Sequence, residues 1–160
     1  WVMNRDGSNP RQVYEAGWDP TWSPDGQEIL FASDVNGTIQ MYVSKLNGSS
    51  LRQVNTMDYL RGRTDWSSRG EMVTYSGTSW HRELYLMNAD GSNVHQITPK
   101  GGNSQGPSFS PDGNWVTFTA YFDHYKEDHG CEIYIMRTDG TDLRRLTDNE
   151  YCDWQPRWGA

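Results

Sequence analysis

The stretch Trp22-Ser23-Pro24-Asp25-Gly26 decides the fold, because the chain repeats it. It returns as Trp66-Ser67-Ser68-Arg69-Gly70 and as Phe109-Ser110-Pro111-Asp112-Gly113, and a fourth start follows at Pro156-Arg157-Trp158-Gly159. The aromatic positions are spaced by 44, 43 and 49 residues. A second signature interleaves with the first: Val2-Met3-Asn4-Arg5-Asp6-Gly7-Ser8, Tyr42-Val43-Ser44-Lys45-Leu46-Asn47-Gly48-Ser49, Tyr85-Leu86-Met87-Asn88-Ala89-Asp90-Gly91-Ser92 and Tyr134-Ile135-Met136-Arg137-Thr138-Asp139-Gly140-Thr141. Repeats of this length, built from turn residues and short alternating runs, mark stacked supersecondary units.

Each unit reads as four short strands, a to d. Strand a ends at the aromatic, where Pro24 and Pro111 lack the N–H that would continue a ladder and Asp-Gly supplies a tight turn. Strand b alternates, as in Ile29-Leu30-Phe31-Ala32-Ser33 and Val116-Thr117-Phe118-Thr119. Strand c is the Tyr-x-Met-like element, and a second Asp-Gly or Asn-Gly hairpin leads to strand d. No segment carries a useful 3.6-residue apolar period, so helices should be nearly absent. Four-stranded units at this period are propeller blades. A single blade cannot bury both faces, so the recurring aromatics Trp22, Trp66, Phe109 and Trp158 are expected to fill equivalent buried positions at the seams.

The double motif resembles the TolB-type, WD-like β-propeller repeat and covers essentially the whole chain. The resemblance implies an all-β propeller of four-stranded antiparallel blades, about three and a half of them here. A partial blade occupies 1–18, blades occupy about 19–62, 63–105 and 106–152, and the next begins over 153–160. The final strand a has no strand b after it, so the segment is expected to be part of a larger propeller or to self-associate. Trp66-Ser67-Ser68-Arg69-Gly70 departs from the pattern, which leaves the geometry of that one turn open.

Composition narrows the partners. A formal charge of −7, with scattered basic residues, argues against nucleic acid. No apolar run approaches the ~20 residues of a membrane span. Hydrophobic residues are only 34%, but 8 Trp and 9 Tyr can still build a core, because each ring covers a large area.

The a–b and c–d turns are short and uniform, whereas the b–c and d–a connections gather on the other edge and vary. The b–c loops are expected to grow from Asp34–Thr38, through Gly77–Glu83, to Tyr121–Glu132. That edge collects the candidate binding residues Trp18, Asp19, Tyr59, Arg61, Arg63, Trp80, His81, Arg82, Tyr121, Phe122, His124, Tyr125, Tyr151 and Trp154. Exposed aromatics with arginine are the composition of interface hot spots and of sugar platforms, while some of these rings should fold back into the seams.

His81, His124 and His129 are candidates for a metal site, though ligand spacing of this kind is unspecific. Calcium is the other ion considered; Asx turns already account for Asp34-Val35-Asn36-Gly37. Neither a cofactor motif nor a catalytic one emerges. Gly102-Asn103-Ser104-Gln105-Gly106 matches G-x-S-x-G, but a strand follows it where a nucleophile elbow needs a helix.

Cys131 and Cys152 are expected to pair. If Asp139 and Gly140 centre the c–d turn, paired positions sum to about 279–281, which sets 148–150 opposite Cys131 and Cys152 just beyond. A bridge points to an oxidising compartment, and the TolB resemblance likewise implies a periplasmic or extracellular scaffold that binds a protein partner. The alternatives are the propeller portion of an enzyme, either a prolyl oligopeptidase-type gating domain or an oligogalacturonate lyase-like protein, with carbohydrate as the ligand of the latter.

Overall fold

The structure is a computed structural model that describes residues 1–122 and 130–159. Among the described residues, twelve strands form three separate four-stranded antiparallel sheets, each in chain order. Blade 1 holds β1 (Trp18–Trp22), β2 (Glu28–Ser33), β3 (Gln40–Lys45) and β4 (Arg52–Gln53). Blade 2 holds β5 (Asp65–Trp66), β6 (Glu71–Thr78), β7 (His81–Asn88) and β8 (His95–Gln96). Blade 3 holds β9 (Gln105–Phe109), β10 (Trp115–Ala120), β11 (Glu132–Arg137) and β12 (Arg144–Arg145). No helix occurs among the described residues, and the molecule is an all-β propeller array.

Register explains how the seams fill. Opposed residues of antiparallel neighbours lie on one face, and successive residues lie on opposite faces. Leu30 opposes Val43 and Ala32 opposes Met41, so these side chains share a face. Leu30, Met41 and Val43 pack with Met72 and Met87 of blade 2. One residue further along, Val73 opposes Leu86 and both face blade 3. There Val116, Phe118, Tyr134 and Met136 meet them. Phe118 and Tyr134 stack with centroids 6.0 Å apart. Both faces of blade 2 are thus covered, so consecutive residues Met72 and Val73 of strand b are both fully buried, one toward each neighbouring blade.

The recurring aromatic does not behave uniformly. Phe109 is 5% exposed in the seam between blades 2 and 3, and Trp66 is half-buried against blade 1. Trp22 is 51% exposed and Trp158 39%, which corrects the expectation of four equivalent buried rings. Trp66 packs in the seam with blade 1 and Phe109 in the seam with blade 2, whereas Trp158 stays exposed although blade 3 precedes it, so the motif position alone does not bury the ring. Val2, Val13 and Tyr14 cover Phe31 and Tyr42 but leave Trp22 in solvent.

The turns repeat to the atom. In blade 1 the Ser23 hydroxyl donates to Asp25 at 2.6 Å and accepts the Glu28 N–H at 2.9 Å, while Asp25 accepts the Gln27 N–H at 3.0 Å. Ser110, Asp112, Asn114 and Trp115 reproduce the same set in blade 3. The Arg69 turn keeps the same backbone closure, with the Gly70 N–H on the Ser67 carbonyl at 3.0 Å. It is one residue shorter: Ser67 caps the Glu71 N–H at 3.0 Å, so no intervening N–H exists for an aspartate to cap. Arg69 instead reaches blade 3 and donates to Asn114 at 2.7 Å.

Candidate functional site

The other edge, where b–c and d–a connections lie, is organised by the entry to strand c. Its first residue is Gln40 in blade 1, and the corresponding positions are Glu83 and Glu132, all three buried. Each fastens the following d–a connection. Gln40 exchanges two 2.9 Å hydrogen bonds with the backbone of Met57. Glu83 accepts from the Thr98 hydroxyl and the Gly101 N–H, both at 2.8 Å. Glu132 accepts from the Thr147 hydroxyl and from the Asn149 N–H. Burial pushes the Glu83 carboxyl above its ordinary value, and the Thr98 and Gly101 hydrogen bonds oppose that rise. Sequence reasoning missed this device, although Gln40 and Glu132 are the first residues of their strands c and Glu83 is the third.

The second fastening is a disulfide between Cys131 and Cys152, with Cα atoms 4.7 Å apart. Tyr134 opposes Arg145 and Ile135 opposes Arg144, a sum of 279, so the register matches that used to pair the cysteines. The Asp153 N–H also donates to the Cys131 carbonyl at 2.8 Å. The bridge holds the segment that carries Tyr151 and Trp154.

On these fastenings stands a row of rings. Trp80 meets Tyr121 edge to face at 6.0 Å, and Tyr121 meets Trp154 in the same way at 6.1 Å. Tyr121 is buried, whereas Trp80 and Trp154 are 42% and 51% exposed. Phe122 turns inward onto Tyr134 at 5.2 Å. Tyr59 and Tyr151 are strongly exposed, and Tyr59 borders a cleft of about 650 Å³ lined also by Ile39, Gln40, Met57 and Asp58. The b–c connection of blade 2 differs from expectation. β6 and β7 run on to Thr78 and His81, so His81 and Arg82 are strand residues beside a two-residue turn. Gly77 takes a φ of +137°, and the His81 carbonyl oxygen lies 2.0 Å from where a Cβ would stand, so this register requires glycine there.

Three residues before each aromatic, the backbone is left-handed: Asp19 (φ 49°), Arg63 (44°), Gly106 (62°) and Gln155 (57°). In blades 1 and 3 one extra residue enters strand a at that point, a bulge between Trp18 and Thr21 and between Gln105 and Ser108. Bulges re-aim side chains, and three of these four positions hold non-glycine residues at a conformational cost. Directly inside them lie Thr21, Asp65, Ser108 and Arg157. Asp65 binds the strands a together: it accepts from Thr21 at 3.0 Å, from Ser108 at 3.1 Å and from the Phe109 N–H at 2.8 Å, and Arg157 stands 3.9 Å away. Burial, then repulsion from Arg157, holds the Arg63 guanidinium below its ordinary value, with Asp19 opposing.

The structure therefore places Trp18, Asp19, Tyr59, Arg61, Arg63, Trp80, His81, Arg82, Tyr121, Phe122, Tyr151 and Trp154 on or beneath one edge. His124, Tyr125 and His129 lie outside the described residues. Among the described residues, no group of three His, Cys, Asp or Glu side chains is placed to hold a metal ion.

No family model matches the chain. An uncharacterized protein of Agrobacterium fabrum is 31% identical over 138 residues, covering 84% of this chain and 44% of that protein. The Tol-Pal system protein TolB of Bordetella pertussis is 32% identical over 146 residues, covering 88% and 32%. Among solved structures, TolB from Acinetobacter baumannii superposes with a TM-score of 0.81 at 21% identity, over 97% of this chain and 39% of that one. Oligogalacturonate lyase from Vibrio parahaemolyticus gives 0.63 at 11%, over 88% and 43%. An acylaminoacyl peptidase of Pyrococcus horikoshii gives 0.62 at 20%, over 90% and 26%. The chain spans less than half the length of each relative. It is a TolB-like β-propeller domain. The lyase and peptidase likenesses carry the fold alone.

Proposed function

We propose that the chain belongs to the TolB-type repeat proteins and acts as a non-catalytic, extracytoplasmic scaffold that docks a protein partner on its loop edge. The row Trp80–Tyr121–Trp154 carries this reading. Two exposed indoles flank a buried phenol, and the segment bearing one of them is tied to β11 by a disulfide. Rigid, partly exposed Trp and Tyr supply contact area with little ordering cost on binding, which is what hot-spot residues do. The disulfide supports an oxidising compartment. The likeness to TolB adds support for a protein partner.

An enzymatic reading finds less to work with. Ser104, the centre of the G-x-S-x-G match, is fully buried, and its N–H is held by the Arg82 carbonyl at 2.7 Å. The test is to recover the bound partner from the cell envelope with the native protein and then measure its affinity for Trp80→Ala, Trp154→Ala and Tyr59→Ala. The two indole variants should each weaken binding by ~2 kcal/mol or more. Unchanged affinity in both, with the fold intact, would reject the loop edge as the docking surface.

A further inference from the structure

The aromatic row leaves the cleft beside Tyr59 unused. That cleft opens to about 650 Å³ between the b–c connection of blade 1 and its d–a connection. Its floor is apolar: Ile39, Met57 and Leu60 belong to the core between blades 1 and 2. Gln40 lies there too, but its amide is spent on the two hydrogen bonds to the Met57 backbone. The rim is exposed and holds Thr38, Thr56, Asp58 and Tyr59. Asp58 alone among the lining residues carries a charge. Among the described residues its carboxylate enters no ion pair, unlike those of Asp65, Glu71, Asp142 and Asp148. None of the loop-edge basic residues Arg61, Arg63, His81, Arg82 and Lys100 lines the cleft. Arg61 Nε donates to the Gly77 carbonyl at 2.9 Å, and Arg82 donates to the Gln105 amide oxygen of blade 3 at 2.6 Å, so both turn to other acceptors.

The rim is held in place at a conformational cost. Tyr59 takes a left-handed φ of 55° and is 68% exposed, and that backbone region is unfavourable for a bulky residue. Three contacts to β6 hold it there. The Gly77 N–H donates to the Tyr59 carbonyl at 3.1 Å, Leu60 bridges to Ser76, and the Ser76 hydroxyl donates to the Asp58 carbonyl. Strain that the surroundings enforce in this way concentrates at ligand clamps. Here it sets an exposed ring beside an exposed carboxylate, above an apolar floor.

A long basic side chain fits that combination, because its aliphatic stem covers apolar surface while its charged head stays at the water boundary. The face of Tyr59 offers the head a cation–π contact, and Asp58 offers it a counter-charge. An apolar residue would strip water from Asp58 and leave it unpaired, and an acidic one would meet like charge. The volume lies within the ~300–1,000 Å³ of ligand sites, so residues flanking that side chain enter with it. We infer that this cleft receives a lysine or arginine side chain presented by a segment of the protein partner. The stem lies on Ile39, Met57 and Leu60, and the charged head sits between Tyr59 and Asp58. The inference rests on the docking reading of the loop edge, and it names what the partner presents there.

The test is an amide NMR titration of the protein at low ionic strength, read at Thr38, Asp58 and Tyr59. The probes are a capped peptide with one central lysine, its norleucine and glutamate counterparts, and n-butylammonium. The lysine peptide should shift those amides saturably. The norleucine peptide keeps the stem and lacks the charge, so it should bind roughly fivefold more weakly, and the glutamate peptide more weakly still. Asp58→Asn should lose roughly threefold to fivefold in affinity for the lysine peptide. Tyr59→Gly should lose a similar factor, and it removes the ring without threatening the fold, because glycine suits the left-handed φ. Asp90→Asn removes one charge on the turn edge, where Asn47 holds the same place in blade 1, and should leave the affinity unchanged. Equal binding of the lysine and norleucine peptides would overturn the assignment, as would equal losses in Asp90→Asn and Asp58→Asn. So would full lysine-peptide affinity in both cleft variants, or n-butylammonium binding as tightly as the peptide. A lysine peptide that does not bind rejects the cleft alone. Trp80→Ala and Trp154→Ala with undiminished partner affinity reject the aromatic row and leave lysine binding in the cleft standing.

Discussion

The two edges of the propeller are held by opposite chemistry. On the turn edge, every blade uses exposed Asx and hydroxyl caps. Asp6, Asn47, Asp90 and Asp139 each accept from the N–H and hydroxyl two residues on, at 2.5–3.0 Å. On the loop edge, buried groups do the fastening: Gln40, Glu83, Glu132 and the Cys131–Cys152 bridge. A local cap fixes four or five residues and is indifferent to its surroundings, so it repeats unchanged. A buried carboxylate fixes whatever connection passes over it, so loop sequence can vary while the strand ends stay in place. That arrangement leaves the loop edge free to carry binding residues.

The contrast predicts that damage to the loop edge costs more. Removing the bridge by Cys131→Ala with Cys152→Ala should lower stability by about 3 kcal/mol, given the 21-residue separation. Denaturant midpoints under oxidising conditions check this. Addition of reductant should bring the native protein to the variant's midpoint and leave the variant where it is. An unchanged midpoint would show that the d–a connection is held by Glu132 and Asn149 alone.

Glu83→Gln comes next, at about 1–3 kcal/mol, because an amide accepts at only one end and leaves either the Thr98 hydroxyl or the Gly101 N–H without an acceptor. Its pH dependence carries a sign. The folded carboxyl titrates above its ordinary value of 4.5, so the folded state holds the proton more tightly than the unfolded chain. The group's stabilising protonated form is fully present below that value, and stability falls as pH rises through the folded titration. The gap between native and Glu83→Gln proteins should therefore be widest in acid and shrink toward neutrality. A gap that grows with pH would mean that the Thr98 and Gly101 hydrogen bonds outweigh burial.

On the turn edge the sign reverses. Hydrogen bonds, first from the Ser110 hydroxyl and then from the Asn114 N–H, lower the Asp112 carboxyl from 3.8 to about 2. A depressed carboxyl stabilises above its unfolded value and loses that contribution as pH falls through the folded one. The Asp112→Ala protein should thus track the native one below about pH 2 and diverge above pH 3.8. Because the turn is fully exposed, the loss should be smaller than that of Glu83→Gln. An equal loss would erase the distinction between the edges.

The turn edge was the more legible of the two because its caps act within five residues, and local hydrogen bonding leaves a local signature. Trp22-Ser23-Pro24-Asp25-Gly26 is legible for that reason, and so are the four-stranded blades it punctuates. Even the disulfide followed from a hairpin register. What resisted reading depended on neighbours. Phe109 is buried and Trp22 exposed at the same place in one motif, which alone does not bury the ring. In the sequence Glu83 and Glu132 only close the expected b–c loops, and Gln40 has no signature at all, since their partners lie 15 to 18 residues onward. His81 and Arg82 read as loop residues in the sequence because the strand extension past Gly77 is a backbone event. The left-handed Asp19, Arg63 and Gln155 carry no glycine to announce them.

The smallest effect tests why Arg69 replaces the repeated aspartate. The shortened turn offers no N–H like that of Gln27, so an aspartate at this position would gain the Ser67 hydroxyl and nothing else. It would also sit near Glu71, with which Arg69 forms a stretched 4.0 Å ion pair, and would forfeit the Arg69–Asn114 contact that ties blade 2 to blade 3. Arg69→Asp alone should therefore destabilise by about 0.5 kcal/mol, at the edge of what surface substitutions do. Inserting one glutamine after Gly70 in the Arg69→Asp protein restores the spacing of the Asp25 and Asp112 turns and gives the aspartate its backbone partner. The insertion should recover part of the loss, an outcome that would be odd for an added residue in a hairpin unless the cap is the reason. The measure is the denaturant midpoint of the three proteins at neutral pH. If the insertion deepens the loss instead, the short turn is held by Arg69 and its reach to Asn114, and the aspartate was displaced by that contact and not by the missing residue.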